Sequence, residues 1–172
     1  EYFQLYDWFS NHPVNGRIAK LPIQNYDGWL YYDWGYQGAG FLWFGLDAPL
    51  LDRDFDRWTP YNEQYYWEMS HAIYSHDQAQ LEQILEKYQI EWIILDHNVI
   101  EPGGSDTQLY LYDTHDLFNT SNKITLAQQF GDINVYRVNL TGNYQSFVFG
   151  PEGATTIDTN GVKDFNDLTY GS

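Results

Sequence analysis

Apolar positions near the start of the chain recur at helical spacing: Phe3, Leu5, Tyr6 and Phe9 within YFQLYDWF (2–9), which predicts a short helix. Asn11-His12-Pro13 ends it, because the residue before a proline avoids helical dihedrals. GRIAKLP (16–22), bounded by Gly and Pro, reads as a strand. Two helices are expected at about 60–75 and 78–88. Thr59-Pro60 gives the first an N-cap followed by proline, and Tyr65, Met69, Ala72 and Ile73 mark its apolar face. Asp77 with Gln80 resembles a capping box for the second, whose stripe is Leu81, Ile84, Leu85 and Tyr88.

IEWIILD (90–96) is almost continuously apolar and β-branched, so it reads as a strand buried on both faces. A helix feeding such a strand is half of a crossover unit, which places the chain in the α/β class with a mixed sheet. In that strand Trp92, Ile93, Ile94 and Leu95 should be buried against Leu81, Ile84 and Leu85. Leu109–Asn119 fits a strand or a short helix equally. Ile124–Phe130 and Ile133–Leu140 flank Gly131-Asp132, a hairpin signal. From Gly142 onward core residues thin out and Gly, Thr and Asn take over, so the domain is expected to span 1–141. Residues 142–172 would then be an extension or the opening of a following module.

Between Tyr26 and Trp67 the pattern breaks down. That stretch holds 15 of the 33 aromatic residues, interleaved with Gly28, Gly35, Gly38, Gly40 and Gly45. Glycine between large rings predicts turns and close backbone approaches, not one regular element.

The charge narrows the function. With 24 Asp+Glu against 8 Lys+Arg the net charge is −16, which disfavours nucleic acid and anionic membrane surfaces alike. The absence of cysteine removes disulfides, zinc–thiolate sites and thiol nucleophiles. No apolar run is long enough to span a bilayer. A chain starting at Glu1 reads as a piece of something longer. The sequons at Asn119 and Asn139 matter only if the source glycosylates secreted proteins.

An acidic, aromatic-rich surface suits sugar chemistry. Asp33, Asp52, Asp54, Asp56, Glu63 and Glu68 are the candidates for a glycosidase pair, which needs two carboxyls roughly 5–10 Å apart and one raised pKa. The plainer reading of LLDRDFDRW (50–58) is an ion-pair network of Asp52, Arg53, Asp56 and Arg57, reaching Glu63 on the first of the two helices. Trp29, Trp34, Trp43 and Trp58 fill a core in the plain reading and stack on sugar rings in the functional one, with Asp33 and Asp56 as hydroxyl acceptors. No metal is expected, since the five histidines lack HxxxH spacing and Asp158–Asp167 departs from a calcium loop in its glycine and last acid. No cofactor loop appears: the Gly35–Gly40 glycines lack both the strand–helix setting and a lysine, and no GxSxG elbow is present.

The order of segments, GRIAKLP (16–22), WLYYDWGYQGAGFLWFG (29–45), PLLDRDFDRW (49–58), NEQYYWE (62–68), LEKYQI (85–90), WIILD (92–96) and INVYRV (133–138), resembles the soluble extracytoplasmic region of large prokaryotic polytopic membrane proteins of the YfhO-like, GT-C-like glycosyltransferase type. The resemblance covers roughly residues 2–140. It implies an outward-facing domain anchored through transmembrane segments outside this chain, with its own transmembrane region and a neutral glycan or lipid-linked sugar as partners. It transfers no catalytic residue, because the acid of such enzymes lies in an external loop between membrane helices. The expected function is therefore a non-catalytic domain assisting glycan handling. A secreted glycoside hydrolase and a self-assembling surface module are the alternatives.

Overall fold

The computed structural model describes residues 1–23, 29–38, 41–51, 60–101 and 109–142, the side chains at 61 and 62 aside. The chain is an α/β domain built on a mixed five-stranded sheet. Along the sequence come α1 (Tyr2–Ser10), β1 (Arg17–Leu21), β2 (Leu30–Tyr32), β3 (Gln37–Gly38), a 3₁₀ turn (Phe41–Phe44), β4 (Leu50–Leu51), α2 (Pro60–Tyr74) and α3 (Gln78–Lys87). β5 (Ile90–Asp96), β6 (Val99–Ile100), α4 (Leu111–Thr120), β7 (Ile124–Phe130) and β8 (Ile133–Val138) complete it. The main sheet has the order β4-β1-β5-β8-β7, and a small sheet, β3-β2-β6, stands beside it. β1 is parallel to β4 and β5, whereas β8 runs antiparallel to β5 and β7. Among the described residues no helix is long and apolar enough to cross a membrane.

Local chemistry explains the elements. Asp77 caps α3 by accepting the Gln80 backbone N–H at 2.9 Å, but the reciprocal half of the capping box is missing, because the Gln80 side chain bonds His71 instead. Gly131, at φ +60°, opens the two-residue turn between β7 and β8, where a positive φ matches the twist of the strands. Residues 109–119, undecided from periodicity, contribute α4, which buries Thr114, Leu117 and Phe118.

The central strand β5 is buried at every position, and its alternation serves two layers. Ile93 and Leu95, with Ala19 and Leu21 of β1, pack under Leu81, Ile84 and Leu85 of α3 and under α2 and α4. Trp92 and Ile94 point the other way, against Leu5 and Phe9 of α1 and Leu42 of the 3₁₀ turn. The expectation that all four would pack against α3 thus holds for two of them; strand periodicity sends the other pair to the opposite face. Glu91 is the extra residue of a bulge opposite β1, where Arg17 pairs with Ile90 and Ile18 with Trp92. Its carboxylate is 1 % exposed and accepts the backbone N–H groups of Asn15 and Gly16 at 2.6 and 2.7 Å. It also pairs with Arg137, whose guanidinium lies 4.6 Å from the centre of the Trp92 ring.

Candidate functional site

The aromatic stretch conceals a hairpin. Residues 33–36 join β2 and β3; Tyr32 N–H donates to Tyr36 O and Gly35 N–H to Tyr32 O, both at 2.9 Å, which closes the loop around Asp33-Trp34-Gly35. A three-residue loop of this kind ends on a residue with positive φ, and Gly35 supplies it at +94°. The tip is then fastened to the turn leaving β5: Asp33 N–H donates to Asn98 O at 2.9 Å.

Behind the tip runs a chain of polar contacts. Trp34 Nε1–H donates to the Tyr2 hydroxyl at 3.3 Å, and the Tyr2 hydroxyl donates to Asp96 Oδ2 at 2.9 Å. The other Asp96 oxygen accepts the Asn98 backbone N–H at 3.0 Å and its side-chain amide at 2.9 Å. That amide also reaches Glu1 Oε2 at 3.3 Å. Asp96 is 1 % exposed at the carboxyl end of β5, and burial raises its pKa against these three hydrogen bonds and the nearby Lys20 ammonium. Burial likewise raises the Tyr2 hydroxyl, reinforced by the Asp96 charge. Asp96 therefore orients Tyr2 and Asn98, and through Tyr2 the Trp34 indole.

The indole sits in an aromatic box. It stacks on Tyr36 (centroids 5.5 Å apart, planes at 27°) and meets Tyr2, Tyr32 and Phe41 at steeper angles. Trp34 nevertheless remains 47 % exposed. It borders an open groove of about 780 Å³ lined by Glu1, Tyr2, Phe3, Tyr6, Asp33, Trp34, Phe41, Phe44 and Asn98. Tyr6 can lie on the groove floor because Gly45 has no side chain: a Cβ there would stand 2.3 Å from the Tyr6 ring. Burial pushes the Tyr6 hydroxyl up to about 12. A second, smaller groove of about 390 Å³ lies along α2 between Trp67, Tyr74 and Tyr110.

Of the residues singled out from sequence, Asp33 and Trp34 share the first groove. Trp29 and Trp43 are 51 % and 47 % exposed and do not line it. Asp56 and Trp58 lie outside the described residues, as do Asp52, Asp54, Arg53 and Arg57 of the expected ion-pair network. Glu63 stands in the first turn of α2. Glu68 has the wrong electrostatics for a general acid. Burial works upward on it, but hydrogen bonds from Lys87 at 2.7 Å and Gln64 at 2.8 Å hold its carboxyl below the ordinary value.

Spacing rules missed what the fold assembles from distant segments: Tyr2, Asn98 and Phe41 around Trp34, and a histidine pair. His97 follows β5, His115 lies on α4, and their Nε2 atoms are 3.0 Å apart. Among the described residues no group of three or more His, Asp and Glu is arranged to hold a metal.

The fold defines the class: an α/β domain with a mixed sheet, an aromatic layer on one face and a helical layer on the other. No family model and no curated protein matches the chain. Among solved structures it is similar to the C-terminal globular domain of an oligosaccharyltransferase from Archaeoglobus fulgidus, at TM-score 0.48 and 11 % identity over 80 % of this chain and 96 % of that one.

Proposed function

We propose that this chain is a non-catalytic extracytoplasmic domain of a polytopic membrane protein, and that the groove beside Trp34 binds a neutral glycan or the sugar of a lipid-linked donor. The observation that carries the reading is the Trp34 ring, half-exposed and fixed at a hairpin tip beside Asp33 and Asn98. A rigid aromatic face supplies contact area to the apolar face of a sugar at low entropic cost. The Asp33 carboxylate at its edge accepts from hydroxyls. The net charge of −16 disfavours anionic glycans and free phosphates.

Neutral oligosaccharides titrated while tryptophan emission is followed are expected to give a saturable change that is absent in Trp34→Ala. No change at millimolar sugar, or an unaltered response in the variant, overturns the reading.

One observation favours a second reading, a self-assembling module. Phe3 and Phe44, on the rim of the same groove, are 83 % and 87 % exposed, and exposed apolar rings on one rim mark a contact surface. Concentration-dependent sedimentation abolished by Phe44→Ser would select it.

A further inference from the structure

We propose that His97 and His115 form a two-imidazole site for a divalent transition-metal ion of the Cu²⁺ or Ni²⁺ type, with water in the remaining positions. The ring centroids are 4.9 Å apart with the planes at 23°, and the Nε2 atoms approach to 3.0 Å, a hydrogen-bond contact that a shared ion would replace. Two nitrogens at that separation, each about 2.0–2.1 Å from a shared ion, subtend about 95° at it. That is the cis angle of a tetragonal or octahedral centre and is narrower than a tetrahedral zinc site needs.

The His115 ring is held from behind, and the His97 main chain is anchored. The Tyr136 hydroxyl lies 3.3 Å from His115 Nδ1, leaving Nε2 to coordinate. The His97 backbone N–H donates to Asp132 O at 3.0 Å, which fixes that residue against the β7–β8 turn. A metal takes both rings in the neutral form, so binding releases any proton they carry. The Asp132 charge is close enough to act on His97, and the strongly acidic surface draws cations inward.

The test is Cu²⁺ added to the full 172-residue chain at pH 7.5, followed by calorimetry and electron paramagnetic resonance. One equivalent is expected to bind with a tetragonal spectrum carrying hyperfine structure from two imidazole nitrogens. His97→Gln and His115→Gln should each weaken binding at least tenfold, while His12→Gln and His76→Gln leave it unchanged. A spectrum showing one or no imidazole nitrogen in the unmutated chain overturns the site whatever the folding of the variants. Equal affinity in His115→Gln does the same.

Discussion

The two faces of the main sheet are built from different materials. Under α2, α3 and α4 the contacts are mostly aliphatic: Ala19, Leu21, Ile93 and Leu95 against Leu81, Ile84, Leu85, Met69 and Leu117. The face under α1 buries Ile18, Trp92 and Ile94. It also holds ionisable groups at both ends of β5, Glu91 and Asp96, each 1 % exposed. Charge in a core is costly unless every lone pair is used, and here nearly every one is. The helical face is therefore a stability layer. The aromatic face spends hydrogen bonds to hold Tyr2, Asn98 and the Trp34 tip in fixed positions, which is what a binding surface needs.

Adjacent residues of β5 test that contrast most strongly. Ile93 faces the helical layer and Ile94 the aromatic one, and both are 0 % exposed. Ile93→Ala and Ile94→Ala are each expected to cost about 2–5 kcal/mol, measured by denaturant unfolding. A cost below about 1 kcal/mol for Ile94→Ala alone would mean that the aromatic layer is not core at all, and the comparison would fail.

Legibility in the sequence divides along the same line. β5, α3 and the Gly131 hairpin were readable because one signal dominates each: a continuous apolar run, a cap with a stripe, a turn glycine between alternating strands. α4 was not, because Tyr112 is 84 % exposed and blurs the buried set Thr114, Leu117 and Phe118. In the aromatic stretch, ring after ring defeats periodicity, so the β2–β3 hairpin stays hidden although Gly35 marks its turn. Asp33 and Trp34 were within reach as sequence neighbours. Tyr2 reaches them through the Trp34 indole and Asn98 through the Asp33 N–H, and Asp96, 94 residues from Tyr2, ties the two together. His97 meets His115 only once α4 packs against α2 and β7.

Acid sharpens the contrast because the faces respond with opposite sign. On the helical side burial pushes Glu86 upward, but Lys123 at 2.7 Å and the Thr141 N–H and hydroxyl at 2.9 Å outweigh it and bring its pKa to about 2. A depressed folded value means that its stabilisation is present above the unfolded pKa near 4.5 and is lost as pH falls through 2. Asp96 is raised, so its protonated form favours the fold: that contribution is complete below its ordinary 3.8 and disappears as pH rises through the folded value. Unfolding between pH 5 and 2.5 should therefore show Glu86→Gln losing less stability than the unmutated chain. An identical slope in the two proteins would remove Glu86 as an acid-sensitive anchor.

The smallest expected effect is the most informative about function. Phe3 and Phe44 belong to the aromatic side by position, yet they are 83 % and 87 % exposed. Phe3 makes one edge contact with the Tyr6 ring at 6.4 Å. Residues so exposed contribute little to folding, so Phe3→Ser and Phe44→Ser are each expected to shift stability by less than about 0.5 kcal/mol. A loss near 2 kcal/mol would show these rings closing over the groove as core, and the aromatic face would then be a second stability layer. If the variants keep full stability, the rings are not there for the fold. Tryptophan emission during sugar titration then separates the two uses: a weakened response in Phe44→Ser makes the rim part of the sugar platform. An unchanged response together with lost self-association makes it a surface for other copies of the chain.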